Sequence, residues 1–449
     1  MSSSVDKLSR KLGLFPVTNI VVANIIGAGI FTTTGFIMNS LGNPVLMVVL
    51  WLAGGIIAFC GAISFGELGA TFPQAGGEYI FISKLFSPLL GFLSGWLSLI
   101  VGFSAPIAAS AIGFSEYFSL AFPSLQKVLL SSEIISTGLF KNLTAIFVIL
   151  LFTFIHSRGV IFGTRIQNVL TILKVVLISG LIVAGFVFGE GSFEHFKNAD
   201  EIQYSFSGWK SIGLSLMFVM FAYSGWNSAT YIGSEIKSPS KVIPRSLLIS
   251  TGIVTVLYLL LNVFFVFALS PGEIKGVPEI AGLAAGKAFG KMAEAFISLF
   301  ISFALISSLS AFIILGPRVY YSMAREGYFF AFAAKIHPRF KVPVGALILQ
   351  SSIAIILVLT GTFEQILVYM GFSLGIFPII AVAGIFKLRL KNESALKLPG
   401  FPVVQILFIG TGLVMLTLAF FERPLESSIA ILTALSGIPV FYWFKRRRV

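Results

Sequence analysis

Two runs of small residues inside long apolar stretches, and one lysine deep in a third stretch, hold most of the chemistry of this chain. The first stretch runs from about Leu14 to Ile37 and is interrupted at Gly27-Ala28-Gly29; the second runs from about Gly208 to Ile232 and is interrupted at Ser224-Gly225. A gap in a helix leaves backbone N–H and C=O groups unpaired, and in hydrocarbon each is costly unless something binds it. At the first gap, unwinding exposes the N–H groups of Ala28, Gly29 and Ile30 at the start of an outer half-helix, where the helix dipole favours a carboxylate. The carbonyls near Ile25 and Ile26 end the preceding half and suit an ammonium. The second gap, Phe221-Ala222-Tyr223-Ser224-Gly225-Trp226-Asn227, offers further carbonyls around Phe221 and Ser224. Together these groups match the two charged ends of an amino acid, and paired gaps of this kind point to the substrate site of a transporter.

The elements that must position these gaps follow from composition. Hydrophobic residues make up 57% of the 449 residues and charged residues 11%, whereas a soluble domain carries about 25% charged residues. With a mean hydropathy of +0.98, the chain divides into about twelve runs long enough to cross a bilayer. They lie near residues 14–37, 43–66, 88–115, 141–157, 165–189, 208–232, 246–270, 292–320, 343–361, 364–387, 401–421 and 426–444. The expectation is an all-α membrane protein forming a single transporter domain over 1–449.

The net charge of +13 is a topology signal and not a nucleic-acid footprint. With both termini inside, 23 of the 31 Lys and Arg residues fall on interior segments or at their span ends and 8 outside, which obeys the positive-inside rule. The expected location is the cell's inner (plasma) membrane, with both termini cytoplasmic. The single cysteine, Cys60, lies in the second run and permits no intramolecular disulfide, zinc site or redox motif. No catalytic residue, metal or cofactor is expected. The amino-terminal MSSSVDKLSRKLGL reads as a cytoplasmic start, and His156, His195 and His337 as solvated residues in loops or at a span end.

Several motifs resemble one family. Gly27-Ala28-Gly29-Ile30-Phe31, Gly66-Glu67-Leu68 and Pro73-Gln74-Ala75-Gly76-Gly77-Glu78-Tyr79 resemble the amino acid–polyamine–organocation (APC) transporters. Phe221 to Asn227, Glu235-Ile236-Lys237-Ser238-Pro239 and Ile243-Pro244-Arg245 are similar to the L-type amino acid transporter branch. Arg325-Glu326-Gly327 and Ile336-His337-Pro338 extend the match. The resemblance implies the leucine-transporter (LeuT-type) fold: five-plus-five inverted repeats over 14–189 and 208–387, discontinuous first and sixth helices, and two additional helices over 401–444. It also implies departures. Ala28 stands where the family often has serine, and Ser224 where L-type members commonly have glycine. Residues 116–140 contain no cysteine, so no disulfide-linked heavy chain is expected, as in a stand-alone, prokaryote-like member.

Lys174 lies nine positions after Arg165, about 13 Å into the fifth run at about 1.5 Å per residue. An unpartnered charge there costs at least about 2.5–3.5 kcal/mol. The resemblance implies that its ammonium replaces the cation of sodium-coupled relatives, bonding carbonyls of the first gap near Gly27 and hydroxyls such as Ser307, Ser308 or Tyr258. Phe221 is expected to gate the substrate, and Asn227 to contact its side chain or bridge helices. A neutral residue at 227 favours neutral amino acids. Glu67 and Glu235, near inner helix ends, are expected in gate or packing ion pairs. The leading expectation is sodium-independent transport of neutral L-amino acids by alternating access, as an exchanger. Proton-coupled symport or uniport is the alternative, and a membrane-embedded enzyme or non-transporting receptor is the reading from another class.

Overall fold

The computed structural model describes residues 8–122, 136–201, 204–277, 280–360 and 363–447. Lys7, Lys127, Glu279 and Arg448, which contribute to the charge balance, lie outside them. Among the described residues, ten helices are long and apolar enough to cross a membrane, and with the shorter 17-residue apolar helices Phe206–Ala222 and Val344–Thr360 they match the twelve expected runs. The chain is a multi-pass membrane protein. Side-chain caps start several spans: Asn43 accepts from Leu46 N at 2.9 Å, ahead of Pro44, and Ser87 accepts from Leu90 N at 3.2 Å, ahead of Pro88. A capping oxygen satisfies an amide that has no partner within the helix, and proline has none to satisfy.

The first span is two helices, Leu14–Ile25 and Ala28–Leu41. The half before the break packs on the fifth (Val160–Phe188), seventh (Pro239–Ala268) and eighth (Lys291–Arg325) spans, and the half after it on the sixth. These discontinuities, at the start of each half of the chain, are those of the leucine-transporter-type fold. The sixth span departs from expectation beyond its break. The run expected to reach Ile232 as a helix ends at Ala222, and two 3-10 turns, Ser228–Tyr231 and Gly233–Glu235, replace it. Its backbone finds partners elsewhere, since Ile232 bridges to Ala75 and Ile236 to Leu12. The third span also changes pitch: a π-helical segment, Ser98–Ser104, joins Pro88–Leu97 to Ala105–Ala121. Pro106 supplies no amide to the turn before it, and within the segment the Ser104 hydroxyl donates to Leu99 O at 2.6 Å.

Hydrogen bonds and ion pairs tie the chain together at both ends of the bundle. At the end carrying the termini, Lys11 N and Leu12 N donate to Glu235 O at 2.8 and 2.9 Å, and Lys237 N donates to Leu12 O at 2.8 Å. The Arg318 guanidinium meets the Glu235 carboxylate in a fork, at 3.2 and 3.0 Å, with side chains 2% and 0% exposed. Arg389 clasps Glu67 in the same way at 2.8 and 2.5 Å, and Leu398 N adds a third donor at 3.1 Å. At the opposite end, Gly276 N donates to Gly35 O and Asp200 N to Gly42 O, both at 3.0 Å.

Breaking a buried pair is worse than removing it, because the remaining charge keeps its desolvation cost. Arg318→Met should therefore lose about 3–5 kcal/mol of stability, read as a lowered Tm in detergent. Arg318→Met combined with Glu235→Leu should recover most of that loss. A double variant no more stable than the single one would contradict this cost for the unpaired charge.

Candidate functional site

The first break falls one residue earlier than the glycines suggest. Ile26 (φ −75°, ψ 84°) and extended Gly27 leave the helix, whereas Ala28 and Gly29 already belong to its second half. Gly27 caps that half without a side chain, so the first-turn amides of Ala28, Gly29 and Ile30 have neither a cap nor an intrahelical acceptor. All three residues are buried. A buried helix start left open in this way can receive an anion.

The carbonyls at the break are already engaged. Lys174, 1% exposed, donates to Ile26 O at 2.5 Å, Ala23 O at 3.3 Å and Ser308 Oγ at 3.0 Å. Ser308 Oγ in turn lies 2.6 Å from Ile26 O and 3.0 Å from Ala23 O. Three acceptors use all three ammonium hydrogens, and among the described residues no carboxylate pairs with this lysine. The outward-pointing carbonyls at the end of helix Leu14–Ile25 supply the negative field in its place. Ile25 O accepts from Gly27 N at 2.8 Å and from Tyr258 OH at 2.8 Å. The protein's own donors therefore already reach Ile25 and Ile26, and a ligand's ammonium would have to compete with them.

Of the hydroxyls named for Lys174, only Ser308 reaches it. Ser307 accepts instead from Gln167 Nε2, through its carbonyl at 3.0 Å and its hydroxyl at 3.2 Å. The Tyr258 hydroxyl sits between the two breaks, 2.8 Å from Ile25 O and 3.0 Å from Ala222 O. Its ring packs edge-on to Trp51, with centroids 5.4 Å apart.

At the second break, Ser224 N turns back to Phe221 O at 3.0 Å. Among the described residues, Ser224 O accepts no hydrogen bond. Gly225 has φ +100°, and a Cβ there would stand 2.3 Å from Asn24 Oδ1. Only glycine allows both that backbone and that approach. A Cβ on Gly29 would stand 2.7 Å from Ala222 Cα, so the two broken spans touch at both points.

Beside this junction lies a cavity of about 100 Å³. Phe221, Ser224, Trp226 and Asn227 line it, with Asn24, Glu78, Ser94 and Phe312. Ile25, Ile26, Gly27, Ala28, Gly29, Ile30 and Ala222 lie outside its lining, as do Lys174, Tyr258, Ser307 and Ser308. Trp226 also packs edge-on to Phe65 at 4.8 Å. Asn227 Nδ2 donates to Glu78 Oε1 at 2.6 Å and to Tyr231 OH at 3.1 Å, so its amide is occupied by a buried carboxylate.

Three cavity residues were not apparent from the sequence. Asn24 Nδ2 and Ser94 Oγ are buried without a hydrogen-bond partner among the described residues, and Glu78 brings a carboxylate to the wall. Asn24 was visible as an amide in an apolar run, three residues before Gly27, but Asn19 in the same run carries the same signal. Glu78 was visible only as part of a motif. His156 corrects an expectation: it is 4% exposed, with Nε2 2.8 Å from Ser310 Oγ. Gly163 makes the room, since a Cβ there would stand 2.3 Å from His156 Nδ1. Among the described residues, no three His, Cys, Asp or Glu side chains converge as metal ligands.

The family model described as "Amino acid permease" matches residues 12–441. The rabbit (Oryctolagus cuniculus) "Large neutral amino acids transporter small subunit 2" is 29% identical over 448 residues, covering 97% of this chain and 80% of that protein. The human (Homo sapiens) "Cystine/glutamate transporter" is 28% identical over 446 residues, covering 98% and 86%. The mouse (Mus musculus) "Asc-type amino acid transporter 1" is 28% identical over 447 residues, covering 97% and 81%.

Proposed function

This chain belongs to the amino acid permease family, and on that premise we propose that it exchanges neutral L-amino acids across a membrane, without sodium, by alternating access. The observation that carries the reading is Lys174, whose ammonium takes the carbonyls and hydroxyl that a bound sodium ion would need. In this reading the substrate carboxylate meets the open amides of Ala28, Gly29 and Ile30, and its ammonium meets Ser224 O. Its side chain enters the cavity past Phe221, toward Asn24 and Ser94. The halves 14–189 and 208–387 rock against each other about the two breaks, with 401–444 flanking them. The end carrying the termini faces the cytoplasm, from its share of Lys and Arg, and the protein works without a disulfide-linked partner.

Purified protein in liposomes tests this directly. Uptake should require amino acid inside the vesicle and should be the same in choline medium as in sodium medium. Stimulation by sodium of about tenfold, or about 1.4 kcal/mol of coupling, would overturn the sodium-free reading.

Alanine, serine and leucine should compete for uptake, and lysine and glutamate should not. The reason is that Asn227 covers Glu78 with its amide, so no bare charge at that position selects an ionic side chain. Ser224→Gly should widen the accepted sizes by removing a side chain from the cavity wall. Competition by lysine or glutamate alone would refute the neutral preference.

Glu78 supports a second reading. A buried carboxylate on the cavity wall is a group on which a proton could travel with the substrate. Uptake into vesicles empty of amino acid, driven by an inward proton gradient and lost in Glu78→Gln, would establish proton coupling in place of exchange.

A further inference from the structure

A second cavity, of about 730 Å³, opens at the end of the bundle that carries the termini. Its walls come from four separate parts of the chain. Leu8 and Arg10 precede the first span, and Pro73, Gln74 and Ala75 form the turn after the second, followed by Ile80 and Lys84. Ser234 belongs to the 3-10 turns of the sixth span, and Tyr321, Ser322, Arg325 and Glu326 end the eighth. Three cations, Arg10, Lys84 and Arg325, therefore border one space.

None of the three pairs with a carboxylate among the described residues. Arg325 Nη1 donates to Tyr321 OH at 3.1 Å, and all three side chains are exposed. The one acid on the wall, Glu326, accepts from Tyr79 OH at 2.6 Å. Nearby basic residues in a concave site focus a positive potential, and guanidinium groups match phosphate oxygens with paired hydrogen bonds. Three cations against one acid give this wall a net positive charge, which suits an anion better than a zwitterionic amino acid of no net charge.

We propose that this cavity is a regulatory site for a phosphate-bearing anion, separate from the substrate site. Its occupant bridges the amino-terminal segment, the Pro73–Ala75 turn, the sixth span and the eighth span. Leu12 and Ile236, and Ala75 and Ile232, are already tied across the same seam by backbone bridges. A ligand holding these parts together stabilises the state closed at this end. The regulatory consequence rests on the alternating-access reading; binding itself does not.

The phosphate can come from solution or from a lipid headgroup, and two probes separate them. Pyrophosphate is titrated into detergent-purified protein, and phosphatidylglycerol is compared with phosphatidylcholine in vesicles containing the protein, each read as a rise in Tm. The triple variant Arg10→Gln, Lys84→Gln, Arg325→Gln should need at least about ten times more ligand, equal to about 1.4 kcal/mol. The control Lys391→Gln, Lys397→Gln, Arg446→Gln should respond like the unaltered protein. Stabilisation by pyrophosphate identifies a soluble anion, and stabilisation by phosphatidylglycerol alone identifies a headgroup; either supports the site. Equal responses of the triple variant and the unaltered protein to both probes would overturn it. If the site binds but exchange proves absent, the proposed function fails and the site stands.

Discussion

Lys174→Ala should lower exchange by at least about fivefold while leaving the protein folded. The variant removes the only charged donor, among the described residues, to the Ala23 and Ile26 carbonyls. Ser308 Oγ can serve one of them at a time, since it carries a single hydrogen. The other is left buried without a donor, at about 1–3 kcal/mol. Where the two access states differ in how well they meet that carbonyl, the same energy changes their ratio by roughly five- to 150-fold. Arginine should not restore activity, because its planar fork is bulkier than the compact ammonium and points its hydrogens differently. Lysine sits against helix-end carbonyls, so loss of charge also removes a favourable interaction with the dipole. Exchange in liposomes and ligand-induced Tm shifts, measured on the same preparation, separate slow cycling from misfolding. Unaltered exchange and affinity on both faces would reduce Lys174 to a packing residue.

Gly225→Ala should all but abolish transport. A Cβ at this position meets Asn24 Oδ1 at 2.3 Å and the Asn24 backbone carbon at 2.9 Å. The side-chain oxygen could rotate away, but the backbone carbon belongs to the first span and cannot move without moving that span. The backbone adds strain of its own, because φ of +100° is rarely adopted by residues with side chains. The expected response is separation of the two breaks, and a shift of about 1 Å in such a site costs roughly 100-fold in rate. Gly252→Ala is the matched control: it lies in the seventh span, and a Cβ there meets nothing within 4 Å. Transport by Gly225→Ala within about twofold of the control would show that the junction tolerates displacement, contrary to the close packing of the two spans.

The breaks could be read from the sequence because small residues that interrupt two apolar runs at matching places, one in each half of the chain, are hard to account for by helix packing alone. The depth of Lys174 followed from the helix rise alone. The partners did not. Tyr258 is separated from Ile25 by 233 residues and from Ala222 by 36, and nothing local in a helix names the carbonyl its hydroxyl will meet. The same reasoning by type put Ser307 and Ser308 on equal terms, although neighbouring residues on a helix point about 100° apart. Only Ser308 faces the break. The loss of helix after Ala222 was equally hidden, because the competing partners, Leu12 and Ala75, lie far away in the chain. His156 was misread for a related reason: being at a span end says nothing about whether a glycine on the next span leaves room for the ring.

Tyr258 has one hydroxyl hydrogen and two carbonyls within reach, at 2.8 and 3.0 Å. One hydrogen can serve only one of them at a time, so the hydroxyl links the unwound ends of the two spans by a single shared hydrogen. Tyr258→Phe keeps the ring against Trp51 and removes only the hydroxyl, so it isolates what one polar group contributes to holding the two breaks together.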